Sequence, residues 1–422
     1  MKLVQIGAGN IGRSFIGQIF SRAGWELVFV DVDPGITALL NEARFYTVVI
    51  KREGQADERR RIGPVRAVDG GNAEAVIGEL VTADLAATSV GKGALPKVLP
   101  VLAGGILERS RKYPGRPLDI IIAENVRDAA DLFRTVIGET LSPPAFSGTG
   151  AVRDDAVKDN AVRDDAAKDG AAAFEPWSGL VGLVETSIGK MVPIMRKEDL
   201  ALDPLQLFAE AYETLIVDKL GFRGPMPDIP AIHPVEDIAA YVDRKLFIHN
   251  MGHAAAAYLG YRLDSSKTLL AEVLDLPGVE GGVRRAMEES AAALAREYPR
   301  AYSEKDLADH IDDLVSRFKN RALGDTVHRV GRDLKRKLSR DDRIVGAMLL
   351  CAKQGLPFGA VAEVYRAALD FAAPDEKGAL FPGDARFREA VRSRGVETAL
   401  QEVSGLDRER DAAVYRTLSS IL

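Results

Sequence analysis

Cysteine is almost missing: Cys351 is the single one in 422 residues, which excludes an intrachain disulfide and any cysteine-rich metal site. Histidine is scarce too, five in all, so a histidine-built zinc centre has little to draw on and no metal is expected. No uninterrupted apolar run approaches the roughly 18–20 residues of a membrane span. Positive charge is not in surplus. Fifty-six Lys and Arg face 62 Asp and Glu, a net charge of −6, which removes the electrostatic case for nucleic acid. The opening "MKLVQIGAGN" runs directly into a strand-like pattern and leaves no room for a signal peptide. A soluble cytoplasmic protein, bound to neither membrane nor nucleic acid, is the expectation.

What is present is a long chain with 46% hydrophobic and 28% charged residues, enough for two domains with a sizeable core. In the first half, short apolar strands alternate with helical stretches. "KLVQI" (2–6), "ELVFVD" (26–31), "DLAATSV" (84–90) and "LDIIIAEN" (118–125) read as buried strands, with helices over 10–23 and 94–112. Such alternation predicts an α/β fold with a mostly parallel, doubly wound Rossmann-type sheet. Residues 151–170, "AVRDDAVKDNAVRDDAAKDG", repeat a five-residue charged unit whose period fits neither helix nor strand, and read as an exposed insertion. "VGLVETSIGKMVPIM" (181–195) reads as a strand leaving the first domain. Helical periodicity then takes over at 204–219, 236–260, 266–273, 280–297, 304–316 and 341–354. The expected division is a nucleotide-binding domain over 1–195 and a mainly α-helical domain over 196–422.

"VQIGAGNIGRSF" places Gly7, Gly9 and Gly12 in G-x-G-x-x-G spacing between a strand and a helix. The first glycine permits the tight turn, the second lets a pyrophosphate reach the backbone, and the third lets helix and strand pack closely. Asn10 and Ile11 complete the turn, at the mouth of a helix N-terminus that offers free N–H groups to phosphate. Asp31 ends the next strand, where a carboxylate accepts hydrogen bonds from ribose hydroxyls. It repels a 2′-phosphate, as does Asp33, so NAD is favoured over NADP. "TSVG" (88–91) closes a later strand with small residues, and Ser89 and Val90 there suit the edge of a nicotinamide ribose.

"DRKLFIHNMGHAAAAYLG" (243–260) brings Lys245, Asn250 and His253 within nine positions of a chain that has only seven Asn and five His. On an α-helix at 100° per residue, Asn250 lies about 140° and His253 about 80° around from Lys245, over roughly 12 Å of axis. That layout suits a long substrate lying along the helix.

Together "GAGNIGRSFIG", "FVDV", "TSVG", "AENV", "VDKLGFRGPMPDIP", "RKLFIHNMGHAAAAYLG" and "GRDLKRKLSRDDR" resemble the mannitol dehydrogenase family of polyol-specific long-chain dehydrogenases, from residue 1 to about 410. The resemblance implies metal-independent hydride transfer between NAD and a polyol or sugar, with mannitol 1-phosphate and fructose 6-phosphate as the expected pair. Another polyol, a sugar acid, or non-catalytic nucleotide binding are the alternatives. It assigns the general base to Lys245, donors to the developing alkoxide to Asn250 and Asn125, and substrate orientation to His253. It places a substrate phosphate on Arg332 and Lys337 of the cationic segment 331–343. A monomer is implied. Where relatives usually carry an Asp-Arg pair, this chain has Gly189 and Lys190, close to where substrate is expected.

Overall fold

A computed structural model of the protein describes residues 1–141, 177–193, 195 and 197–421; the charged repeat 151–170 lies outside them. The core of the first half is an eight-stranded sheet in the order β11-β10-β8-β7-β6-β1-β2-β5. Here β1 is Lys2–Ile6, β2 Glu26–Asp31, β5 Val65–Asp69, β6 Leu85–Thr88, β7 Leu118–Ile122, β8 Val181–Ser187, β10 Leu215–Asp218 and β11 Ile232–Val235. Neighbours pair in parallel except β10 against β8. Strands β1, β6 and β7 are almost wholly buried, as expected of a parallel sheet covered by helices on both faces. The four strands anticipated in the first half are present, and the helix Leu95–Lys112 packs its buried Leu95, Leu99, Leu102 and Ile106 onto the sheet.

The helix expected over 204–219 is not formed. Leu207–Ala209 is a strand, β9, in a small second sheet ordered β4-β3-β9 with β3 (Tyr46–Ile50) and β4 (Glu58–Ile62), and Leu215–Asp218 is β10. The sheet therefore continues to Val235 rather than stopping at 195. The apolar residues in 205–217 are spaced much as a helix would space them, but β10 fills the position between β8 and β11, where Leu215, Ile216 and Val217 are buried. Ladder pairing and burial override the local pattern.

From Ile238 onward the elements among the described residues are helical and enclose a separate apolar core. At its centre runs helix 238–263, whose Ala254–Ala257 are fully buried. Small residues let Val279–Glu297 approach closely: a Cβ on Gly252 would lie 2.5 Å from the Met287 sulfur. The helices Val279–Glu297 and Glu304–Phe318 match the periodicity closely. No helix of the described residues is long and apolar enough to cross a membrane.

Candidate active site

The glycine turn follows directly from β1. Gly7 has φ +95°, and a Cβ there would sit 2.6 Å from the Ser89 carbonyl oxygen. Gly12 is tighter still, since its Cβ would lie 2.0 Å from the Gly7 oxygen. Gly9 faces open space with nothing within 4 Å, as a turn does when its backbone must meet a phosphate. Asp31 ends β2 and accepts a hydrogen bond from the Ala8 amide at 2.7 Å, so the acid is fastened to the turn. A cavity of about 270 Å³ lies beside it, lined by Gly7, Gly9, Asp31, Ser89 and Val90 among others. Its small and apolar lining, with the Asp31 carboxylate as an acceptor, fits the adenosine half of a dinucleotide.

A larger cavity of about 670 Å³ continues from Ser89 and Val90 toward the helical half. Asn10, Ile11, Gly91, Glu124 and Asn125 form its sheet side, Lys245, His249, Asn250 and His253 its helix side, and Arg329, Arg336 and Arg343 its far wall. Thus the glycine turn and the lysine stretch, more than 230 positions apart, border one space.

Helix 238–263 is not a uniform α-helix. Lys245–Asn250 forms a π turn in which the Met251 amide reaches the Leu246 carbonyl five residues back. In an α-helix five residues overshoot one turn by about 140°; the wider π turn takes up much of that excess. Asn250 is thereby brought round toward the side of Lys245, and the pair forms a more compact site than α-helical geometry gives.

The Lys245 Nζ donates to the Asn125 Oδ1 at 2.7 Å. The side chain is half-buried and faces the cavity. Desolvation, with a smaller push from Arg343, lowers the amine to about 8. The Asn250 side-chain amide lines the cavity with no protein partner among the described residues. His253 lies flat on Phe318, with centroids 4.8 Å apart and planes at 13°, and its Nε2 is 3.1 Å from Asp325 Oδ2. Burial lowers its pKa against the pull of Asp325, so the ring is neutral near pH 7. An Nε2–H donated to Asp325 leaves Nδ1 as an acceptor.

Arg332 and Lys337 are elsewhere. Lys337 is 4% exposed, and its Nζ donates to the carbonyls of Val330 and Arg332, so it serves the backbone around it. The Arg332 guanidinium lies over the Phe381 ring at 5.8 Å. Two other cations of the same segment, Arg336 and Arg343, reach the cavity with Arg329. The chain is irregular here: Asp333 is left-handed at φ 72° and the helix Leu334–Lys337 has one turn, so helical phase does not carry across it. Glu124 and His249 also line the cavity. Sequence reasoning singled out neither, although Glu124 stands inside the quoted "AENV" and His249 inside "RKLFIHNMGH". Lys190, noted as a departure, lines it as well. Its Nζ donates to the Tyr212 carbonyl at 2.9 Å, and burial lowers it to about 7.

The Rossmann-domain model of the mannitol dehydrogenases matches residues 1–231, and the model of their C-terminal domain matches 237–415. The chain belongs to the mannitol dehydrogenase family. It is an enzyme of the polyol dehydrogenase class. It is 32% identical over 406 residues to a mannitol-1-phosphate 5-dehydrogenase of Brevibacillus brevis, covering 96% of this chain and 94% of that one. Its fold is similar to that of a Pseudomonas fluorescens mannitol 2-dehydrogenase, solved as a ternary complex with NAD and D-mannitol. The TM-score is 0.68 at 16% identity, over 100% of this chain and 94% of that one. A D-sorbitol dehydrogenase aligns with a TM-score of 0.67 at 14% identity, over 98% and 94% of the two chains.

Proposed function

We propose that this mannitol dehydrogenase family member uses NAD to interconvert mannitol 1-phosphate and fructose 6-phosphate. The observation that carries the reading is the 2.7 Å contact between Lys245 and Asn125, in a cavity that opens onto the Ser89–Gly91 edge of the dinucleotide fold. The relative acting on mannitol 1-phosphate, alike along nearly its whole length, supports the choice of substrate.

When bound, NAD supplies the hydride acceptor. Lys245, as the neutral amine, takes the hydroxyl proton of the alcohol, and Asn125 holds that amine through its oxygen. The Asn125 Nδ2 and the Asn250 amide remain free to donate to the oxygen as negative charge grows on it, the kind of stabilisation worth roughly 10²–10³ in rate per donor. His253, fixed by Asp325 and Phe318, accepts from a neighbouring hydroxyl and sets which carbon faces the cofactor. Asp31 accepts from the adenosine ribose. An anionic substrate end meets the wall of Arg329, Arg336, Arg343 and Lys190.

The test is NADH oxidation by the purified protein with fructose 6-phosphate, fructose and a keto-uronate in parallel. Preferred turnover of fructose 6-phosphate is expected. Turnover of fructose or the keto-uronate without it overturns the assignment of substrate.

A further inference from the structure

The charged groups around the large cavity fall into matched and unmatched sets. Arg329 is paired with Asp325 at 2.6 Å, Arg336 with Asp333 at 2.6 Å, and Arg343 with Asp342 at 2.7 Å. Glu124 has no cation beside it among the described residues. It is 7% exposed, and its two oxygens each accept one backbone N–H, from Val90 and from Gly91, both at 2.8 Å. Two N–H groups donated to its two oxygens favour the carboxylate, because hydrogen bonds from donors stabilise the charged form. Burial raises the group's pKa above the ordinary carboxylate value, and the Val90 and Gly91 amides offset only part of that rise.

The position is as telling as the charge. Glu124 and Asn125 are consecutive residues just past the carboxyl end of β7. The first grips the loop after β6, and the second accepts from Lys245. One dipeptide therefore ties the loop at the cofactor edge to the amine that handles the proton.

We propose that Glu124 is a positioning residue that fixes the Val90–Gly91 loop relative to Lys245, and that its buried negative charge favours the oxidised, cationic nicotinamide over the neutral reduced ring. This rests on the reading of the cavity as an NAD site. A fixed anion in a poorly solvated wall acts on a nearby cation with little screening, whereas it is indifferent to a neutral ring. Among the described residues Glu124 is the one carboxylate that lines this cavity, and the nearby Asp325, Asp333 and Asp342 are engaged with the arginines.

The experiment measures dissociation constants of NAD⁺ and NADH for the wild-type protein and Glu124→Gln, by fluorescence titration without any sugar. Glutamine removes the charge and turns an N–H group toward one of the two amides. The expected result is a loss of NAD⁺ affinity about tenfold greater than the loss of NADH affinity. Equal losses for both forms, or no loss for either, overturn the proposal, since a merely structural clamp does not distinguish the redox states. Glu124→Asp keeps the charge but shortens the reach, and covers the case in which the glutamine variant does not fold. There the NAD⁺ to NADH affinity ratio should stay within about twofold of wild type, and a larger change sinks the charge argument. If the wild-type protein binds neither nucleotide, it is the functional reading that fails.

Discussion

At the scale of single residues, the decisive quantity is the affinity of one amine for a proton. An exposed lysine is protonated far above neutrality and cannot act as a base there. Removing Lys245 from bulk water brings it down to about 8, close enough to physiological pH for it to serve in both directions. The sign follows. Alcohol oxidation needs the neutral amine, so its rate should climb with pH and level off above about 8. Ketone reduction needs the ammonium as proton donor, so it should hold below that value and decline above it. Rate profiles in both directions check this, and parallel profiles would exclude Lys245 as the titrating group. Lys245→Ala should cost roughly 10²–10⁴ in kcat. Lys245→Arg should not restore it, because a guanidinium stays charged at any working pH.

At the scale of elements, legibility depended on how far a residue's neighbours are fixed by local geometry. The glycine turn was readable because its spacing is set within one strand–turn–helix unit, as where a Cβ on Gly12 would meet the Gly7 oxygen, and Asp31 because the strand it ends, β2, follows that unit directly. The grouping of Lys245, Asn250 and His253 was readable as a pattern, but its shape was not. The π turn over Lys245–Asn250 has no composition cue, and it changes the angle between the first two residues. Arg332 and Lys337 were misplaced for a related reason, a left-handed Asp333 that breaks the phase of a one-turn helix. Strand β9 was hidden because its partner β3 lies far away in sequence, and β10 because its apolar residues share a spacing that a helix also allows. One of the links between the two halves was equally invisible: Arg317, on helix Glu304–Phe318, bonds Glu210 at 2.8 Å through Nε and also reaches the Gly189 carbonyl just past β8. Both side chains of the pair are largely buried, at 12% and 4% exposure. Removing one member leaves an uncompensated buried charge, so Arg317→Met should destabilise the protein by about 3–5 kcal/mol in urea unfolding. Glu210→Gln added to it should recover part of that loss. Additive losses would show that the pair does not act as a unit.

At the scale of the whole molecule, the side chains that face the cavity differ in sign from the net charge of the chain. The chain carries a net −6, which by itself would repel a sugar phosphate. The cavity lining gathers cationic side chains instead: Lys190, Lys245, Arg329, Arg336 and Arg343 face it, with Glu124 the one carboxylate of that lining among the described residues. The three arginines are matched by aspartates, and Lys190 makes no ion pair among the described residues, its Nζ bonding only the Tyr212 carbonyl. A recessed cationic wall within an anionic body focuses the field inward, and salt weakens such focusing over a Debye length of about 10 Å at 0.1 M. For fructose 6-phosphate, kcat/KM should therefore fall severalfold as ionic strength rises from about 0.02 to about 0.3 M, while for uncharged fructose it should change little. Lys190→Met should flatten the salt response for the phosphorylated sugar and raise its KM, most visibly below about pH 7 where the amine is charged, because it deletes a wall amine with no carboxylate in ion-pair contact among the described residues. Equal salt dependence for the two sugars would mean that the wall does not read the anionic end, and that the arginines there are structural partners of their aspartates.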